Sequence, residues 1–328
     1  MSKGILIWAE ATRDGYLHPV TFELANKANE LSKKMDNSPV MAFVMLEESK
    51  VLNYREAFEL NGFDEVFYIS DCDVNFYKSD LCSMLAQHMV KEINPEIVLI
   101  GATENGRDLA PRISTYMHTG LTADCTELDV TEDGKLAATR PTFGGQLMAT
   151  ILSKKYPQMA TVRPKVFTPM VSSVRKNTKF TSISCVLNDF EQTIEILDFV
   201  KTQCSDINSL DSAEIIVAGG KGMQTKEGFA LLKTLADKLG GVVGASRVAV
   251  EMGLASPECQ IGQTGKTVSP KLYIACGISG ALQHTIGMDK SSKIIAINTD
   301  KDAPIFKIAD YGYVGDAFEI IPQLIDKL

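Results

Sequence analysis

The seven cysteines, at positions 72, 82, 125, 185, 204, 259 and 276, include no C-x-x-C pair. An odd number without that spacing encodes neither a disulfide framework nor an iron–sulfur or zinc centre, so reduced core thiols are expected. No run of Lys or Arg exceeds two residues, and the formal net charge is −8. A nucleic-acid partner, which requires a clustered basic face to displace counterions, is not expected. No apolar run approaches the roughly 20 residues of a membrane helix. Gly4–Ala9 is too short for the apolar core of a signal peptide. No membrane insertion and a reducing, cytoplasmic setting follow as expectations. A phosphate-binding loop is also missing. Gly265-Lys266-Thr267 has Gln260 where a P-loop needs its first glycine, and it follows Ser256-Pro257-Glu258 rather than a strand.

What is present is alternation. With 328 residues, 45% apolar and 23% charged, the chain is long enough for two domains that each bury a core. Gly4–Trp8, Val40–Leu46, Glu65–Ile69 and Glu96–Gly101 read as buried strands, separated by helical patterns through Phe22–Leu31, Tyr54–Leu60 and Leu81–Ile93. This βαβ series predicts a doubly wound α/β domain. Asn105-Gly106-Arg107-Asp108 is read as a turn and N-cap for a helix running to about Met117. From Leu128 to about Cys185 the segments are shorter and rich in Thr, Pro and Gly, including Arg140-Pro141-Thr142-Phe143-Gly144-Gly145; antiparallel hairpins are expected there. Lys201–Ala213 is polar, which places the domain boundary at 205/206.

Beyond the boundary, four apolar runs each end in a small or polar cluster. Ile215–Ala218 runs into Gly219-Gly220-Lys221-Gly222, Val242–Ala245 into Ser246-Arg247, Leu272–Cys276 into Gly277-Ile278-Ser279-Gly280, and Ile294–Ile297 into Asn298-Thr299-Asp300. A parallel sheet would bring all four clusters to one edge, where such sheets bind ligands. Residues 206–328 are therefore expected to form a parallel-sheet cofactor domain. Ser279 is read as the N-cap of a helix over Ala281–Met288, whose N-terminus would suit a phosphate or a flavin carbonyl. Arg247 either points into the crevice or pairs with Glu251 one turn on. His284 is either a satisfied structural residue or a crevice group, and Asn298, Asp300 and Asp316 are either ligand contacts or turn formers.

Gly244-Ala-Ser-Arg247, Gly262-Gln-Thr-Gly-Lys-Thr-Val-Ser-Pro270, Leu272 to His284, and Ile294 to Phe306 together resemble the electron-transfer flavoprotein α subunit, the FixB-like family. The resemblance implies an FAD-binding domain at 206–328 and a heterodimer with a β subunit; the first domain, 1–205, has no recognisable phosphate loop and is expected to be mainly the interface for that subunit and to bind no nucleotide itself. Carried onto this chain, it implies that Arg247, Thr264 and His284 surround the isoalloxazine, with His284 and the helix N-terminus near the C2 carbonyl. Ser246, Gln263, Ser279 and Gln283 would lie along the ring, ribityl and pyrophosphate, and Asn298 and Asp316 at the adenosine end. Gln260, Gly265, Gly277 and Gly280 complete the expected cofactor-binding set. Lys221 stands where the family often has Arg, Glu251 where Asp is usual, and Thr285-Ile286 where Leu-Ala is common.

The implied function is an electron carrier rather than a catalyst with its own base, nucleophile or metal. It would form a heterodimer and pass electrons between an acyl-CoA dehydrogenase-type flavoenzyme and a second redox partner. An NADH-dependent bifurcating form, with ferredoxin or flavodoxin as the further partner, is the variant reading. The alternative from another class is an adenine-nucleotide-binding regulatory or scaffold module without redox activity. Reducing a flavin by one electron puts negative charge at N1 and the C2 carbonyl, which a guanidinium, an imidazole and a helix dipole would offset.

Overall fold

The computed structural model describes residues 4–12, 16–46, 48–69, 77–142, 147–169, 174–184, 193–198, 210 and 213–328. The chain divides into two compact units, Met1–Phe199 and Val200–Leu328. The boundary expected at 205/206, Phe143-Gly144-Gly145, and Cys72, Cys185 and Cys204 lie outside the described residues.

The first unit runs β1 (Ile5–Trp8), α1 (Val20–Lys34), β2 (Val40–Val44), α2 (Glu48–Asn53), α3 (Arg55–Leu60), β3 (Glu65–Ile69), α4 (Ser79–Ile93), β4 (Ile97–Gly101) and α5 (Glu104–Tyr116). It continues through β5 (Leu121–Cys125), β6 (Glu127–Val130), β7 (Leu136–Thr142), β8 (Leu147–Leu152), β9 (Gln158–Val162) and β10 (Lys179–Ile183). Among the described residues, one parallel sheet has the order β10-β3-β2-β1-β4-β9-β5. Its central strands are apolar on both faces because helices cover both. Leu24, Ala28 and Leu31 of α1 pack with Ile5, Ile7 and Val40 on one side. Leu85 and Met89 of α4, with Leu109 and Ile113 of α5, pack with Leu6, Phe43 and Val98 on the other.

Two expectations are corrected here. Among the described residues, only β6, β7 and β8 form the antiparallel structure anticipated after Leu128; β9 and β10 return to the parallel sheet. All five residues of β9 are buried, and its central position between β4 and β5 gives that burial to a segment whose sequence looks loop-like. Helix α5 starts earlier than the Asn105–Asp108 turn: Thr103 is its N-cap, accepting from Gly106 N–H at 3.0 Å.

The second unit runs β11 (Ile215–Gly219), α6 (Lys226–Leu239), β12 (Val242–Ala245), α7 (Arg247–Glu251), β13 (Leu272–Cys276), α8 (Leu282–Thr285), β14 (Ile294–Asn298), β15 (Tyr311–Val314) and α9 (Ala317–Lys327). Its strands are all parallel, in the order β12-β11-β13-β14-β15. Phe229, Leu232 and Ala236 of α6 and Ile321 of α9 cover one face, against Val217, Ile274 and Ile297. Loop residues Ile261, Val268, Met288 and Ile305 cover the other, against Ile216, Tyr273 and Ala296. The strand order reverses between β11 and β13, and a crevice opens at their carboxyl ends.

Candidate functional site

The floor of that crevice is a seam of backbone. Gly220, just after β11, donates its N–H to the Cys276 carbonyl at 2.9 Å, and Gly222 N–H donates to the Gly277 carbonyl at 3.0 Å. Gly277 has φ +61, and a Cβ there would stand 2.7 Å from the Gly222 Cα; a Cβ on Gly220 would overlap the Gly277 oxygen. Only side-chain-free residues allow the two strand ends to meet so closely. Above this seam lies a cavity of about 1110 Å³.

Every strand end contributes to its wall. Lys221 follows β11, Ser246 and Arg247 follow β12, Ile278 and Ser279 follow β13, Asn298 and Asp300 close β14, and Asp316 follows β15. Gln260, Gln263 and Thr264 come from the loop before β13, and Gln283 and His284 from α8. This loop is held by bridges of Ala245 to Gln260 and Ile261 to Lys266, and by Gln263 N–H donating to the Gln283 carbonyl at 2.7 Å. The loop and α8 are therefore joined into one wall.

Several expected residues do local work as well as line the cavity. The Ser246 hydroxyl caps α7, accepting from Ala249 N–H at 3.4 Å. Asn298 Nδ2 donates to the Ile278 carbonyl at 2.9 Å while its Oδ1 accepts from Asp300 N–H at 2.9 Å. Asp316 caps α9, accepting from Phe318 N–H at 2.9 Å. Arg247 satisfies both alternatives, because it lines the cavity and its Nε also donates to Glu251 Oε1 at 2.8 Å. The terminal nitrogens of its guanidinium take no part in that exposed pair. Gln260 Nε2 donates to Thr264 Oγ1 at 3.0 Å, so the threonine oxygen is already an acceptor and its own proton is left to donate.

Three expectations change. Gly265 and Gly280 do not line the cavity: a Cβ on Gly265 would overlap the Gln260 carbonyl, and Gly280, at φ +85, lies against Ile305. Both glycines serve close backbone packing behind the wall. Ser279 is not an N-cap; α8 spans four residues, its N-cap is Ala281, and the Ser279 carbonyl instead accepts from Ile305 N–H at 3.0 Å. So short a helix offers little dipole. His284 lines the cavity but is 7% exposed, with Nδ1 3.0 Å from the Ile261 carbonyl and Nε2 2.9 Å from the Tyr273 hydroxyl. Burial outweighs the Ile261 carbonyl and pushes its pKa down to about 4. The ring is uncharged at neutral pH and has both nitrogens engaged, so it keeps no N–H for a flavin carbonyl.

Comparison with known proteins bears on the crevice directly. Residues 5–184 match the family described as "Electron transfer flavoprotein domain", and residues 209–289 match "Electron transfer flavoprotein FAD-binding domain". The chain is 45% identical over 327 residues to the electron transfer flavoprotein subunit alpha of Thermoanaerobacterium thermosaccharolyticum, covering 99% of this chain and 98% of that one. It is 41% identical over 324 residues to the protein FixB of Bradyrhizobium diazoefficiens, covering 98% and 87% respectively. It is 39% identical over 351 aligned positions to the acryloyl-CoA reductase electron transfer subunit beta of Anaerotignum propionicum, covering 96% and 93%.

The chain belongs to the electron transfer flavoprotein α-subunit (FixB-like) family.

Its cofactor is FAD, and its work is electron transfer. The cavity fits that cofactor on its own evidence. Its volume is of the size that holds a whole cofactor, its glycine floor admits close approach, and donors are spread along its wall. Lys221, Gln224, Val248, Met252 and Thr299 also line it and were not in the expected set of ligands. The signal for Lys221 was the glycine cluster itself; Val248 and Met252 follow from Arg247, since a helix starting there carries its first turn along the wall. No described helix is long and apolar enough to cross a membrane.

Proposed function

We propose that this chain pairs with a β subunit and, holding FAD in the crevice of its second unit, carries electrons from an acyl-CoA dehydrogenase-type flavoenzyme to a second redox partner. The observation that carries the reading is the convergence of Ser246, Arg247, Gln263, Thr264, Gln283, Asn298 and Asp316 on one cavity. FAD, when bound, takes up and releases electrons singly or in pairs. The chain's own residues supply the setting. The Thr264 hydroxyl, polarised by Gln260, offers a proton to hydrogen-bond; Arg247 brings the positive charge; buried His284 walls off water without adding charge. The likeness to an acryloyl-CoA reductase electron transfer subunit supports an acyl-CoA oxidoreductase as the donor or acceptor.

The first unit is the proposed β-subunit interface. Edge strand β8 exposes Leu147, Met148, Ile151 and Leu152, an apolar strip that an isolated sheet edge rarely leaves uncovered. Glu10 stands at the carboxyl ends of β1 and β4, where the strand order of this unit's own sheet reverses. That carboxylate is 5% exposed and accepts from Thr103 Oγ1 at 2.6 Å and Asn105 Nδ2 at 2.9 Å. A buried side chain bridging the two loops at the place where a doubly wound sheet would take a phosphate supports the reading that this unit holds no nucleotide.

The test is co-expression with a β subunit followed by counting FAD and AMP per heterodimer. One of each is the outcome for a simple carrier, and two FAD is the outcome for an NADH-dependent bifurcating complex that reduces ferredoxin or flavodoxin. A colourless heterodimer would overturn the carrier reading in favour of a nucleotide-binding scaffold.

A further inference from the structure

Tyr273 is wholly buried on β13, on the face of the sheet that underlies α8, and its hydroxyl finds its partner in His284 Nε2 at 2.9 Å. A phenol in the protein interior needs such a partner, and this one adjoins the cofactor cavity. The chemistry of the two contacts determines where the protons are. The Ile261 carbonyl, 3.0 Å from Nδ1, can only accept, so Nδ1 bears hydrogen. Burial keeps the ring neutral, so Nε2 bears a lone pair and Tyr273 must donate to it.

We infer that Tyr273 is a positioning residue for the cofactor site: its hydroxyl, donated to Nε2 while the Ile261 carbonyl takes the Nδ1 proton, fixes the orientation of His284 on the cavity wall, with no N–H left to offer FAD. This rests on the reading of the cavity as an FAD site. The consequence is a division of labour. Positive charge near the flavin comes from Arg247 and does not vary with pH, whereas an imidazolium would make the first electron's potential depend on pH.

The groups around the ring agree with this arrangement. From β13 it meets the Tyr273 phenol, which burial keeps protonated, and beyond that Cys276, whose thiol burial holds at a pKa of about 12. From the loop it meets the Ile261 carbonyl. The ionisable groups on the cavity wall, Lys221, Arg247, Asp300 and Asp316, stand at other strand ends. Arg247 is paired with Glu251 and Asp316 caps α9.

The test uses the full chain in complex with its β subunit, loaded with FAD and labelled with 15N at histidine. The His284 signals are assigned by their loss in His284→Asn. The imidazole nitrogens are followed by NMR from about pH 8 to 5.5, a window that spans the ordinary histidine pKa of about 6.5. The expected result is a protonated Nδ1 and an unprotonated Nε2 that do not change across this range. In Tyr273→Phe, which removes only the hydroxyl, Nε2 loses its donor, and its signal is expected to move from the parent position while the buried ring stays neutral across the range. The ratio of one-electron-reduced to oxidised flavin at fixed potential should then differ from the parent's by about twofold or more, the equivalent of one lost hydrogen bond, at every pH in the range. A proton on Nε2 in the parent overturns the inference, as does a Tyr273→Phe complex that binds FAD with spectrum and potential unchanged. Should Tyr273→Phe not fold, the parent tautomer decides alone. A parent complex that holds no FAD would instead sink the electron-carrier reading, and its imidazole spectrum would still report on Tyr273.

Discussion

Gly220 and Gly277 meet backbone to backbone where the second sheet reverses direction, and the space between them admits no Cβ. Gly277→Ala is expected to destabilise the second unit by about 3 kcal/mol or more. It must place alanine in a left-handed conformation, costing about 1–2 kcal/mol, and overlap Gly222, costing about 1–3 kcal/mol. Denaturant unfolding followed by release of flavin fluorescence measures this; an unchanged midpoint would mean that the seam relaxes freely.

Arg247→Ala should leave folding nearly untouched. Its pair with Glu251 is exposed at both ends, and such helical pairs are worth about 0.3–0.5 kcal/mol. The first-electron potential of the flavin should drop by about 65–130 mV, the equivalent of the 1.5–3 kcal/mol of a charge-assisted hydrogen bond. Arg247→Lys should recover part of it, keeping the charge while losing the planar fork. A dithionite titration reads the fraction of flavin held at one electron. Equal fractions in all three proteins, with FAD bound, would remove Arg247 from the site.

Thr264→Val should weaken FAD binding by about two- to tenfold, the loss of one hydrogen bond of about 0.5–1.5 kcal/mol. Thr264→Ser should restore it. Gln260→Ala should show a smaller loss, because it removes only the group that donates to the Thr264 oxygen at 3.0 Å. Fluorescence titration of the apo heterodimer with FAD distinguishes these; a Gln260→Ala loss larger than that of Thr264→Val would mean that Gln260 itself is the main contact.

The two units should respond to acid in opposite directions. His284 has its pKa lowered from 6.5 to about 4 by burial, so the unfolded chain binds the extra proton in that window. The contribution of neutral His284 is fully present above about pH 6.5 and is lost as pH falls toward 4. Glu23 in α1 is raised from 4.5 to about 7, because burial outweighs the N–H groups of Lys165, Val166 and Phe167 and the nearby Lys165 charge. Its contribution is present below about pH 4.5 and is lost as pH rises through 7. Each shift corresponds to roughly 3 kcal/mol. Hydrogen exchange of the two units between pH 4.5 and 6.5 should show the second gaining protection with pH and the first losing it. Glu23→Gln should flatten the first trend alone. Parallel trends in both units would contradict the assignment.

Replacing Leu147 and Ile151 of β8 by Glu should leave the chain folded, since both side chains are exposed in it, and abolish co-purification with the β subunit. Gel filtration of the co-expressed pair measures this. A stable heterodimer from the double variant would move the interface elsewhere.

The amino-acid pattern alone determined four strands of the second sheet, β11 to β14, and the edge on which their polar clusters meet. Runs such as Leu272–Cys276 and Val242–Ala245 are buried on both faces, which forces parallel pairing, and parallel pairing sends every carboxyl end to one side. That is why Ser246, Arg247, Ser279 and Asn298 could be placed together before any coordinates, whereas Thr264 and Asp316 joined them through the family resemblance. Strand β15 escaped because Tyr-Gly-Tyr-Val lies exposed at a sheet edge and carries no apolar run. Only the tertiary structure decided what each side chain does on reaching the crevice. His284 answers to Tyr273, 11 residues away, and to Ile261, 23 residues away, and such pairings depend on loop register and packing. Asn298 and Asp316 likewise proved to hold their own turns and helix as well as the cavity wall. Periodicity reports which residues are buried; the direction of a polar side chain is determined by the donors and acceptors that packing brings to it.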